Sequence, residues 1–230
     1  MQSVISKKSY TEALKKCILF ENIPRENYDA VIAFLNGNIK HYYKDETIAH
    51  IDSTYQSVGL VLSGEVEIYL YNADYERVAV NRFSCGQLFG EYTADLGLKE
   101  SPVEVIAMNE CDILFMDLSI LYHPEQFGEH RELAAILSAN YIHNLKLKNM
   151  HLSIKVRILS QKSLRNRIYL FLCICERDEQ GYITLPFSKT ALAEHLAVNR
   201  SALSRELGRM QKDGVITMEG KKIKIIRTTA

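Results

Sequence analysis

A chain of 230 residues is long enough for two small domains, and a composition that is 47% apolar and 24% charged excludes a disordered or fibrous protein. The formal net charge of zero hides an asymmetry: residues 1–150 carry 13 Lys and Arg against 21 Asp and Glu, whereas residues 151–230 carry 15 against 7. A basic module of that size is the electrostatic footprint of a polyanion partner, since each cation set against a phosphate releases condensed counterions, although a basic surface also suits membranes or acidic proteins.

From residue 10 to 37 the spacing predicts short helices. Ala13, Leu14, Cys17 and Ile18 fall at helical steps, and a second segment opens at Ile23-Pro24, carries Tyr28, Val31, Ile32 and Leu35, and stops at Asn36-Gly37. Between His41 and about Leu118 the pattern changes to short β-type runs, clearest at Val58–Val61, Val66–Tyr71, Val78–Phe83, Val103–Ala107 and Ile113–Met116. Glycines in Leu62-Ser63-Gly64-Glu65 and Ser84-Cys85-Gly86-Gln87 punctuate them. Many short strands without α/β alternation predict a β-roll or sandwich.

Beyond Tyr122-His123-Pro124 the strands cease. Leu133, Ile136, Leu137, Asn140, Tyr141, Leu145 and Leu147 make a stripe at three- and four-residue steps, which predicts one helix from about Glu125 to Ser160. A helix of that length has more apolar surface than one small domain covers, so pairing with a second copy is expected; lying across its own sensor domain is the alternative. A further helix is predicted over 163–176, with Leu164, Ile168, Leu170, Phe171, Leu172 and Ile174 buried and Arg165 and Arg167 outward. Gly181-Tyr182-Ile183-Thr184-Leu185 reads as a short strand.

The segment 188–210 splits into two helices around a tight turn. Leu192, Ala193 and Leu196 face inward on the first, Val198 plugs the turn, and Leu203, Leu207 and Met210 face inward on the second. Asn199 suits the N-cap of the second helix. At about 100° per residue, Arg200, Ser201, Ser204 and Arg205 share the face opposite Leu203 and Leu207. In a helix-turn-helix that end enters the major groove, where arginine pairs with guanine O6 and N7. Arg205 is the first choice for that contact and Arg200 for a base or nearby phosphate. Ser188, Lys189, Thr190, Asn199 and Arg209 complete the candidate DNA surface on the helices. Two β-type runs around Glu219-Gly220-Lys221-Lys222 then make a hairpin, with Lys221 and Lys222 placed against phosphate at its tip.

Through Asn199-Arg200-Ser201-Ala202-Leu203-Ser204-Arg205-Glu206-Leu207 the sequence resembles the Crp/Fnr family of bacterial regulators, and the resemblance covers nearly the whole chain. It implies an α+β protein with a roll like a cyclic-nucleotide-binding domain over 1–123, a dimerisation helix over 124–160 and a winged helix-turn-helix over 161–230. Arg200, Ser204 and Arg205 match the family's recognition-helix residues. Ser201 stands where the family often has glutamate, and Ala197 replaces the usual turn glycine. The resemblance further implies a homodimer on a palindromic stretch of double-stranded DNA, with RNA polymerase as a partner and control through the roll.

Effector residues implied by the same resemblance are Leu62, Phe89, Gly90, Glu91 and Ser101, with the glutamate holding a ribose hydroxyl. The Arg-Ser pair that holds the cyclic phosphate in such relatives is replaced by Ser101-Pro102, and no arginine lies between Arg82 and Arg131. Cyclic AMP is therefore not expected, since a buried phosphate without a guanidinium is poorly compensated. An unknown small-molecule effector stays open, and no cofactor or metal is expected. Cys17 alone lies near the N-terminus, and Cys173 and Cys175 read as core thiols, so a cluster of four thiolates is not expected. His41, His50 and Cys85 are candidate haem ligands, each read first as an ordinary side chain.

No P-loop, nucleophile elbow or His-Glu-x-x-His pair is present, so an enzyme is not expected. Met1–Tyr10 is polar apart from Val4 and Ile5, and no run approaches the roughly 20 apolar residues that span a bilayer. A cytoplasmic location without membrane association is expected, with the five cysteines as thiols. Two other readings stay open: a cyclic-nucleotide-binding-like module acting on a protein partner, and a haem- or redox-sensing regulator.

Overall fold

The computed structural model describes residues 8–50, 57–71, 74, 76–91, 103–185 and 188–227, which divide into two units, 1–145 and 146–230. In the first unit, α1 (Lys8–Lys16) and α2 (Tyr28–Phe34) lead into eight strands: β1 (Asn38–Tyr42), β2 (Thr47–Ala49), β3 (Val58–Ser63), β4 (Glu65–Tyr71), β5 (Arg77–Ser84), β6 (Leu88–Phe89), β7 (Glu104–Ala107) and β8 (Cys111–Met116). They form two antiparallel sheets, in the orders β1-β8-β3-β6 and β2-β7-β4-β5. The expected roll is what the strands build.

Strand β3 is central in its sheet and buried through Val58–Leu62, which explains its unbroken apolar run. One face of that sheet packs on Leu14, Leu19, Val31, Ile32 and Leu35 of the N-terminal segment, and the other faces Val66, Val105 and Ala107. Gly59 makes this possible, because a Cβ there would lie 2.3 Å from the Phe89 ring. The β3–β4 turn depends on Gly64 at φ +78°, where a Cβ would also strike Cys111 Cβ at 2.5 Å. Strand β5 is the exposed edge of its sheet.

Three short 3-10 turns from Leu118 to His130 precede α3 (Arg131–Leu159), so the continuous α-helix starts later than the sequence suggests. The division between the units falls inside α3. Ala134, Leu137 and Tyr141 join the core of the first unit, and Ile158 joins that of the second. The buried Asn140 donates from Nδ2 to the carbonyls of Leu19 and Glu21, at 3.0 and 2.7 Å. One turn on, Asn144 is also buried and donates to Glu91 Oε1 at 2.9 Å.

The second unit continues with α4 (Leu164–Ile174), β9 (Ile183–Thr184), α5 (Lys189–His195), α6 (Arg200–Lys212), β10 (Ile216–Glu219) and β11 (Lys222–Ile225). The strands form one antiparallel sheet in the order β10-β11-β9. Ile168, Leu172, Leu192, Leu196, Leu203, Leu207, Met210 and Ile223 fill its core. No helix among the described residues is long and apolar enough to cross a membrane.

Candidate nucleic-acid interface

Helices α5 and α6 are started by their caps. Ser188 Oγ accepts from the Ala191 N–H at 3.2 Å, and Asn199 Oδ1 accepts from the Ala202 N–H at 2.7 Å and from the Ser201 hydroxyl at 2.9 Å. The two bonds from the Ala191 and Ala202 amides satisfy backbone donors that the first helical turn would otherwise leave orphaned. Between the helices, the Ala197 N–H reaches Glu194 O at 3.0 Å and the Val198 N–H reaches Ala193 O at 2.9 Å. This is the paired helix ending in which the turn residue must take a positive φ, and Ala197 adopts +53°. Val198 is half-buried, as a plug of the turn should be.

With Leu203, Leu207 and Met210 buried, Arg200, Ser201, Ser204 and Arg205 are all exposed, but they do not share one face opposite the core. At about 100° per residue Ser201 and Arg205 lie opposite Leu203 and Leu207, and Ser204 lies to the side. Arg200, about 20° around the axis from Leu207, is exposed at the first position of the helix. Among the described residues neither Arg200 nor Arg205 is paired with a carboxylate. Arg209 differs: it is exposed, but Nη1 lies 3.5 Å from Glu206 Oε2. Ser188, Lys189 and Thr190 are exposed at the start of α5, the Ser188 oxygen being committed to its cap.

In the hairpin, Lys221 is exposed in the turn with Gly220. Lys222 is half-exposed but engaged, its Nζ 3.2 Å from Asp178 Oδ2 and 5.8 Å from the Tyr182 ring centre. Lys224 lies over the same ring at 5.2 Å, and the Tyr182 hydroxyl donates to Glu219 at 2.9 Å. The sequence offered no sign of this aromatic support beneath the hairpin.

Several expectations need correction. Arg165 and Arg167 are half-buried and not outward: Arg165 bonds Glu206 and Asp213, and Arg167 donates to the carbonyls of Gln161 and Leu196 at 3.1 and 3.4 Å. Ile174 and Cys173 are exposed, because the last turn of α4 leaves the core. Cys175 is half-buried, and its thiol is pushed up by that burial.

In the first unit, Leu62, Phe89 and Glu91 are buried, and Gly90 has φ +86°. Glu91 faces Asn144 of α3, a neighbour that sequence spacing did not reveal. Ser101 and Pro102 lie outside the described residues. His41 has Asp112 Oδ1 2.9 Å from Nδ1 and Glu110 Oε1 3.5 Å from Nε2, so a carboxylate stands at each ring nitrogen. His50 is exposed, and Cys85 donates to Leu62 O at 3.4 Å. Among the described residues no three His, Cys, Asp or Glu side chains are grouped to hold a metal ion. The Cys111 thiol is pushed up to about 11, first by burial and then by Asp112.

Comparison with known proteins places these features. Residues 166–230 match the family model of the Crp-like helix-turn-helix domain, and residues 39–123 match that of the cyclic nucleotide-binding domain. Among solved structures the chain is similar to the catabolite activator protein of Thermus thermophilus, at 20% identity over 90% of this chain and 93% of that one, with a TM-score of 0.52. It is similar to a CooA mutant from Carboxydothermus hydrogenoformans, at 20% identity over 85% and 86% with a TM-score of 0.57. It is also similar to the c-di-GMP responsive global regulator CLP of Xanthomonas campestris, at 16% identity over 86% and 98% with a TM-score of 0.56. At such identities these structures speak for the fold alone. No curated protein matches the sequence.

Proposed function

From the premise that the chain is a Crp/Fnr-type transcription regulator in its domains and architecture, we propose that α6 reads double-stranded DNA through Arg205 and Arg200. The observation that carries this is the pair of exposed guanidiniums at the capped start of α6, neither set against a carboxylate among the described residues. A guanidinium left unpaired on the groove-facing end can give two parallel bonds to guanine. Ser201 and Ser204 add short contacts; Ser188, Lys189, Thr190 and Lys221 meet the phosphates.

The working form is a homodimer formed through α3. Ile142, Leu145, Leu152 and Val156 are exposed and follow one another, with Asn149, at alternating three- and four-residue steps. That spacing is the seam of a left-handed coiled coil. On this reading residues 1–123 form the sensor, 124–160 the dimerisation helix and 161–230 the DNA-binding domain. Two-fold symmetry then demands half-sites roughly 34 Å apart. The protein acts in the cytoplasm on promoters, with RNA polymerase as its further partner.

Cyclic AMP does not fit the roll. The Glu91 carboxylate already accepts from Asn144, and no arginine lies between positions 82 and 131 to hold a phosphate. Another small molecule is the effector this reading leaves room for. Selection of bound duplexes from random DNA tests the function: recovery of an inverted repeat bound with a steep salt dependence supports it, and indifference to DNA overturns it.

A further inference from the structure

The Arg165 guanidinium grips α6 at two places. Its Nε donates to Glu206 Oε1 at 2.8 Å and its Nη2 to Asp213 Oδ2 at 2.6 Å. Glu206 sits in the body of α6, and Asp213 is its C-cap. Seven residues separate them, about 10 Å along the axis and only about 20° apart around it. A single planar group on α4 therefore holds two points on one side of α6, which opposes rolling of the helix as well as sliding. The Glu206 side chain is 15% exposed, and its other oxygen faces Arg209.

Around the axis, Arg205, Ser204, Ser201 and Arg200 lie about 100–240° from Glu206. The tie therefore holds the side of α6 turned away from the residues proposed to read bases. We propose that Arg165 is a positioning residue for DNA reading, fixing the roll of α6 through Glu206 and Asp213 so that Arg200 and Arg205 meet the groove. This inference rests on the DNA-reading function proposed above. Lysine cannot take the place of arginine here, because a single ammonium lacks the fork that serves two carboxylates at once. It would keep the charge and lose the orientation.

Arg165→Lys, Glu206→Gln and the double variant are compared with the full-length protein on its selected duplex and on random duplex, at several salt concentrations. Far-UV circular dichroism confirms that each is folded. For Arg165→Lys the expected result is unchanged affinity and salt slope on random DNA. The ratio of selected to random affinity should fall on the order of tenfold, the scale of one misplaced arginine–guanine pair. Glu206→Gln should lose the same ratio without losing random-DNA affinity, and the double variant should be little worse than either single one. An intact ratio in both single variants overturns the proposal. So does a parallel loss of random-DNA affinity and salt slope in folded Arg165→Lys, which would make Arg165 a phosphate ligand. Should Arg165→Lys fail to fold, Glu206→Gln decides. Wild-type protein that ignores DNA would instead sink the underlying reading.

Discussion

The Asn144 side chain donates to the Glu91 carboxylate at 2.9 Å, joining the long helix α3 to a residue two places beyond β6 inside a buried patch. Burial makes that bond matter, because a carboxylate taken from water needs donors to replace the ones it lost. Asn144→Ala should lower the stability of the first unit by about 1–3 kcal/mol, read as an earlier urea midpoint by circular dichroism. An unchanged midpoint would show that water replaces the amide at no cost.

Arg205→Ala should cost about 1–3 kcal/mol at one base pair and relax the sequence preference there. Lys221→Ala should weaken all duplexes alike and reduce the salt slope by about one. Lys222→Ala should also weaken all duplexes, while freeing the Asp178 carboxylate it now faces. Fluorescence anisotropy on single-base operator variants separates the two kinds of loss. Equal loss on operator and random DNA for Arg205→Ala would contradict base reading.

Ala197 holds a left-handed backbone at φ +53°, where its Cβ crowds the following carbonyl. Ala197→Gly should remove that crowding and stabilise the DNA-binding unit by about 1 kcal/mol, despite the greater freedom of glycine when unfolded. Thermal melts of the two proteins give the answer, and a lower midpoint for the glycine variant would refute the strain.

His195 is held below its ordinary range, first by burial and then by the positive charge of Lys155, and its ring packs edge-on against Phe171 at 5.5 Å. The folded unit thus binds this proton less readily than the unfolded chain. Its contribution is complete above the unfolded value of about 6.5 and is lost as pH falls through that value toward the lower folded one. Urea midpoints should decline below about pH 6.5 in the wild type and decline less in His195→Gln. Parallel curves would count against this histidine.

Asn149 interrupts the proposed apolar seam of α3 at the position where a polar residue would set register. Asn149→Leu should tighten self-association and broaden the oligomers formed. Sedimentation equilibrium would show it, and a species unchanged in both size and affinity would place the seam elsewhere.

The sequence made some features legible for identifiable reasons. Val58–Val61 announced a strand because it is buried on both faces, and α6 announced itself through the Asn199 cap and the spacing of Leu203, Leu207 and Met210. Arg165 misled because its helix shows only local periodicity, whereas its carboxylates lie 41 and 48 residues away. Glu206, a lone acid in a helix of cations, was the one available sign. Asn144 gave none: on the stripe of α3 it reads as polar surface, and only the fold brings it to Glu91, 53 residues back. Among the polar strands, β1 blends into its surroundings because most of Asn38–Tyr42 is exposed.

Helix α3 has no buried residue between Asn144 and Ile158, and half-buried packing on the core of the second unit begins at Ile154, so the stretch 145–153 packs on neither core. In a lone chain the backbone amides there would exchange with deuterium faster than those of both flanks, because little besides the helix's own bonds resists local opening. Slowed exchange confined to that stretch, growing with protein concentration, would report assembly directly, without DNA and without knowing the effector.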